Sequence, residues 1–190
     1  MGLSIMSNWL RPATPSVAAA APLSFAQVYE EHLDFVWRVA RRLGVPEASI
    51  DDAVQDVFLV VHDRLASFEG RSSLRTWLYG IVRRVARDHR PSKRERPLEE
   101  APEARSESAS AHDGLERAEA KRLLHALLDT LDDDKREVFV LAELEEMPMP
   151  DVAQAIGINV NTAHARLRAA RHQLEEALAR LHARQTWRSP

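Results

Sequence analysis

Residues 149–167 read MPDVAQAIGINVNTAHARL, and the C-terminal half of the chain is decided by this stretch. Val152 and Ile156 fall on one face of a short helix, while Val160 and Leu167 begin a second apolar stripe. Gly157, between them, stands where a tight turn needs positive φ. Pro150 suits the first turn of a helix, where its missing N–H would have no intrahelical partner. Ala153 is small where two crossing helices approach closely, Ile158 completes the apolar clasp, and Asn159 or Asn161 caps the second helix. This pattern is a helix-turn-helix. Its second helix presents Asn161, Thr162, His164, Ala165, Arg166, Arg168 and Arg171, with no acid between residues 159 and 172. Such a helix fits a major groove, and its N-terminus offers N–H donors to a phosphate.

Upstream, Leu123, Leu124, Leu127, Leu128 and Leu131 form one helical stripe, and Val138, Phe139, Leu141, Ala142 and Leu144 form a second. Together with the helix-turn-helix they make a helical unit over 115–184, followed by a short tail, 185–190. Residues 92–114 lose the periodicity and gain Pro97, Pro102, Ser and Glu, which reads as an acidic, flexible linker. Fully stretched, about 25 residues span roughly 80 Å, enough to separate two modules widely.

A second helical unit lies N-terminal to that linker, over 24–91. Phe25, Val28, His32, Phe35, Val39 and Leu43 recur at helical spacing after Ser24, and Gly44 with Pro46 ends the run. Ser49 with Asp52 suggests a capping box for the next helix, whose core stripe is Val54, Val57, Phe58, Val61 and Leu65. Its opposite face carries Asp52, Gln55 and Asp56 at i, i+3 and i+4. After a turn at 68–71, Ser72 or Ser73 caps a third helix, with Leu74, Trp77, Leu78, Ile81, Val82 and Val85 inward and Pro91 as its stop. Trp77 sits on that seam and reads as core rather than as a stacking platform. Residues 1–23, with Pro12, Pro15 and Pro22, read as a disordered tail. The predicted fold class is all-α: two small helical domains joined by a flexible linker.

The chain has 190 residues and a formal net charge of −3, so its average charge points to no polyanionic partner. The charge is segregated, however. Arg71, Arg75, Arg83, Arg84, Arg87, Arg90, Lys93, Arg94 and Arg96 face only Asp88 and Glu95 in their stretch, and the last helix is basic again. Residues 129–146, in contrast, are strongly acidic. Two basic helices, each after a turn and a cap, suit contact with nucleic-acid phosphates, where every neutralised phosphate releases counterions. A solvated polar face is the simpler alternative for each.

The sequence has no cysteine, which excludes disulfides and thiolate chemistry, and no apolar run approaches the ~20 residues of a membrane span. The eight histidines are scattered, and no H-E-x-x-H pair or glycine-rich phosphate loop is present. Asp132, Asp133 and Asp134 read as the solvated start of a helix rather than a cation site. No catalytic centre, metal or cofactor is expected, and the chain is expected to be cytoplasmic.

Three fragments taken in series resemble the bacterial sigma-70 factors of the extracytoplasmic-function group. DDAVQDVF at 51–58 looks like the family's polymerase-binding helix, and FEGRSSLRTWLYGI at 68–81 like its promoter-melting loop and helix. REVFVL at 136–141, with the helix-turn-helix, looks like its C-terminal domain, and the acid-rich linker stands in for the middle domain of larger relatives. The resemblance implies a non-catalytic initiation factor that partners core RNA polymerase through the largest-subunit clamp and the flap, and engages promoter DNA. It also implies control by an anti-sigma factor. Asp52, Gln55 and Asp56 would dock on the clamp. Arg71, Ser72, Ser73, Arg75, Arg83, Arg84, Arg87 and Arg90 would engage the −10 element. Asn161, Thr162, His164, Ala165, Arg166, Arg168 and Arg171 would read the −35 element, with Arg166 or Arg168 on a guanine. Arg84 and His164 depart from the Asn and Lys frequent in relatives, which bears on the promoter sequence. The competing reading is a stand-alone helix-turn-helix regulator that binds duplex DNA without polymerase.

Overall fold

In the computed structural model, residues 23–90 and 111–186 are described. They form seven α-helices, and among the described residues there is no strand. The first module is α1 (Phe25–Arg42), α2 (Ile50–Arg64) and α3 (Leu74–His89); the second is α4 (Ala111–Leu128), α5 (Asp133–Phe139), α6 (Met149–Ile156) and α7 (Val160–Thr186).

Local chemistry sets the helix ends. Ser24 and Gln27 form a reciprocal capping box at the start of α1: the Ser24 hydroxyl accepts the Gln27 N–H and the Gln27 side chain accepts the Ser24 N–H, both at 3.2 Å. The helix closes through Leu43 and a positive-φ Gly44. Ser49 does not act as the expected cap. A 3-10 turn, Glu47–Ser49, runs directly into α2, so the backbone is already wound and the Ser49 side chain makes no capping hydrogen bond. Of the two serines before α3, Ser73 takes the cap, accepting the Thr76 N–H at 3.2 Å. Asp132 caps α5, and Asn159 caps α7 by accepting the Thr162 N–H at 2.8 Å.

The second module begins earlier in space than its apolar pattern suggests. α4 starts at Ala111, so residues 111–114 are helical; the rest of the acidic stretch lies outside the described residues. The 1–22 stretch and residues 187–190 also lie outside them, and α7 continues through 185 and 186. A feature with no sequence warning is the π-helical turn Val140–Leu144, which extends α5. The chain leaves it through Glu146 at φ 53, a left-handed conformation unusual for a side-chain-bearing residue. Met147 is thereby brought back to donate its N–H to the Leu141 carbonyl at 2.9 Å.

The two modules are docked on each other. α3 packs against α6, and one apolar core runs through both: Val36, Val39, Phe58, Leu78 and Val82 share it with Val138, Leu141, Met147, Val152 and Ile156. A smaller cluster of Leu128, Leu131, Val140 and Ala170 ties α4 and α7 to the π-turn. Trp77 is half-buried, its ring 5.3 Å from that of Phe68, and serves the first module's packing as expected.

Candidate nucleic-acid interface

Three surfaces hold the residues singled out by sequence. On α2, Val54, Val57, Phe58 and Val61 are buried, and this turns Asp52, Gln55 and Asp56 together to the outside. Asp56 is engaged by His89 at the end of α3, Nε2 to Oδ2 2.8 Å. Leu59, one turn on from Gln55, is 57% exposed and continues the same face. Leu59 stands off the core stripe of α2, and an apolar residue left off a stripe is the signal that could have found it.

The second surface is the 68–73 loop with α3. Gly70 turns it at φ 67, and Arg71 stays exposed beside Glu69. Ser73 is committed to capping, and Ser72 donates to the Ser73 carbonyl at 3.3 Å. Arg84 and Arg87 are exposed along α3. The remaining predicted cations of this group turn toward the second module instead. Arg75 stacks over the Phe35 ring at 5.3 Å and donates to the Glu145 carbonyl at 3.4 Å. Arg83 pairs with Glu137 at 2.7 Å, and Arg90 with Asp133 at 2.9 Å. The hydrogen bond that Arg83 donates to Glu137 holds its guanidinium above its ordinary pKa. Tyr79, beneath, is fully buried; burial first, then the Glu137 carboxylate, pushes its phenol well above the usual range.

The third surface is the first half of α7. Gly157 adopts φ 74 and ends α6, as its place in the turn requires. Ala163 and Leu167 pack inward, which leaves Asn161, His164, Ala165, Arg168 and Arg171 exposed and Thr162 and Arg166 half-covered. Arg166 pairs with Asp134 at 2.7 Å and Arg171 with Glu143 at 2.5 Å. Arg168 forms no ion pair among the described residues, so it is the cation of this surface most open to a ligand.

Between the modules sits Glu145, its side chain 1% exposed. Arg38 grips its carboxylate from two nitrogens, Nε at 3.3 Å and Nη2 at 3.0 Å. Arg42 binds the same carboxylate and also donates to the Leu144 carbonyl at 3.2 Å. The Glu145 hydrogen bond lifts Arg38 above its ordinary pKa, whereas burial pulls Arg42 below its own. Sequence reasoning missed this group because Glu145 belongs to an acidic run and its partners lie about a hundred residues away.

Among the described residues no group of side chains is spaced to hold a metal ion, and no helix is long and apolar enough to cross a membrane. The described residues thus present an acidic face on α2 and two basic helical surfaces, on α3 and α7, along an all-helical pair of modules.

Comparison with known proteins specifies the class. Residues 28–96 match sigma-70 region 2, and residues 121–174 match sigma-70 region 4. The RNA polymerase sigma factor NccH of Alcaligenes xylosoxydans xylosoxydans is 30% identical over 166 residues, covering 82% of this chain and 87% of that protein. The ECF RNA polymerase sigma factor SigC of Mycobacterium tuberculosis is 34% identical over 140 residues, covering 73% of this chain and 75% of that protein. The solved structure of CnrH in complex with the cytosolic domain of CnrY superposes with a TM-score of 0.64 at 29% identity, over 82% of this chain and 87% of that one. The chain belongs to the sigma-70 family of RNA polymerase sigma factors, in its extracytoplasmic-function group.

Proposed function

We propose that this sigma factor docks on the polymerase clamp through Asp52, Gln55 and Asp56, opens the −10 element with the 68–73 loop and α3, and reads the −35 element with α7. One observation carries the assignment. Two basic helices, α3 and α7, each enter from a capped turn and lie in the modules that match regions 2 and 4. Strand opening then follows from differential binding: backbone cations and a base-holding surface favour unstacked single strand over duplex. On α7, Arg168 is poised for a base edge or phosphate, and a bidentate guanine contact is worth about 1–3 kcal/mol of discrimination. Ser73 acts indirectly, by fixing the start of α3.

The first module contributes residues 24–91 and the second 115–184, with 92–114 as the tether between them. The protein works in the cytoplasm without a catalytic step, metal or cofactor, and an anti-sigma factor restrains it. The test is transcription in vitro from a promoter-trap library with core polymerase and this protein alone. Defined start sites that need both components are expected. Tight, specific duplex binding by the protein alone, with no start sites conferred on core, would instead identify a stand-alone regulator.

A further inference from the structure

Of the side chains assigned to the polymerase clamp, one is held in place by a neighbouring helix. Asp52 and Gln55 are exposed and make no side-chain hydrogen bond among the described residues, whereas the Asp56 carboxylate is bound by His89 of α3, Nε2 to Oδ2 2.8 Å.

The sequence of α3 explains how the imidazole arrives there. Val82, Val85 and Ala86 are buried along one side of the helix, and His89 follows Val85 at i+4 and Ala86 at i+3, where α3 packs against α2. An apolar residue would end that seam equally well. Histidine covers the same ground and adds a ring N–H. An ionised carboxylate only accepts hydrogen bonds, so Nε2 is the nitrogen that carries the proton in this pair. The ring itself is 22% exposed and takes Oδ2, while Asp56 stays 52% exposed and its Oδ1 has no hydrogen bond among the described residues. One oxygen is therefore fixed by the fold and the other is left for an incoming cation. A side chain ordered before binding spares the complex the cost of ordering it on contact.

We infer that His89 is a positioning residue for polymerase docking: its Nε2–H holds the Asp56 carboxylate in one orientation, ready for a cationic side chain of the clamp. This rests on the assignment of Asp56 to the docking face. A plain tie between α2 and α3 would serve stability and leave docking unchanged. An imidazole that competed with the clamp for Asp56 would weaken docking, and its removal would strengthen it. The three roles therefore give three different results.

The experiment titrates the full chain, dye-labelled at its N-terminal amine, into core RNA polymerase, and follows the melting of each protein by circular dichroism. His89→Leu and His89→Ala both remove the N–H, one keeping bulk at the end of the seam and the other not, so a folding defect peculiar to one does not decide the outcome. His89→Gln keeps an N–H near the place of Nε2. Both donor-less proteins are expected to bind core about three- to tenfold more weakly than wild type, and His89→Gln within about twofold of it. On an Asp56→Ala background, itself expected to dock weakly, His89→Leu is expected to cost no further affinity, because the two residues act as one unit. Core affinity unchanged or raised in both donor-less proteins overturns the inference. So does an equal loss on the Asp56→Ala background, or a His89→Gln protein as weak as His89→Ala. If Asp56→Ala docks like wild type, the clamp assignment fails and takes this inference with it. If Asp56→Ala docks weakly while the donor-less proteins dock normally, this inference alone fails.

Discussion

Replacing Gly157 by alanine, and in a separate protein Gly80 by alanine, is expected to move the melting temperature in opposite directions. The two positions share one property: a Cβ built on either meets nothing within 4 Å. Crowding therefore contributes to neither change, and what remains is the backbone. Gly157 has φ +74, where a residue with a Cβ is disfavoured by about 1–2 kcal/mol. Gly80 lies inside α3, where alanine is favoured over glycine by about 0.5–1 kcal/mol because the unfolded glycine has more freedom to lose. For a chain of this length 1 kcal/mol corresponds to about 2–4 °C. Melts followed by helical circular dichroism should place Gly80→Ala above wild type and Gly157→Ala below it, roughly 3–12 °C apart. Gly157→Asn should recover part of the loss, since asparagine tolerates the left-handed region better. Shifts of the same sign, or a Gly157→Ala protein as stable as wild type, would refute the argument that φ alone sets the need for glycine in this turn.

Three further outcomes are expected. Asp52→Arg combined with Asp56→Arg should reduce co-purification with core polymerase severalfold while circular dichroism stays unchanged, because both carboxylates are exposed. Arg168→Ala should weaken promoter binding by about 1–3 kcal/mol; binding to matched and mutated −35 elements then separates a base contact, which relaxes preference, from a phosphate contact, which lowers all affinities alike. Arg136→Ala should destabilise the second module by about 1–3 kcal/mol, read from denaturant melts, because the Leu128 carbonyl loses both side-chain donors. Its side chain is 2% exposed and donates to the Leu128 carbonyl from Nε at 2.9 Å and Nη2 at 2.6 Å, and to Asp129 at 2.5 Å.

What the sequence made legible was whatever short-range chemistry enforces. The periodicity of α1, α2 and α3, the glycine that turns the helix-turn-helix, and the presence of a serine cap at 72 or 73 and an asparagine cap at 159 or 161 follow from neighbours within a few residues; the structure selects Ser73 and Asn159. The Ser49–Asp52 pattern misled because Ser49 is already the last residue of a 3-10 turn that runs straight into the helix. The π-turn was hidden because its i to i+5 bonds serve tertiary packing and leave no compositional mark. At the candidate site, sequence located the basic helices but not the partners of their arginines. Arg83, Arg90 and Arg75 read as outward cations, and only the fold shows them meeting Glu137, Asp133 and the Glu145 carbonyl. Glu145 likewise looks solvated in an acidic stretch until Arg38 and Arg42, about a hundred residues away, close over it, and Arg136 until the end of α4 folds back onto it.

The continuous apolar core of the docked modules has a consequence for how such a protein is handled in the cell. Parting α3 from α6 bares oily surface that includes part of the layer around Val152 and Ile156. An opened molecule adrift in solution is therefore adhesive, inclined to clump with its own kind. Any partner that held the two modules apart would therefore also have to cover those faces.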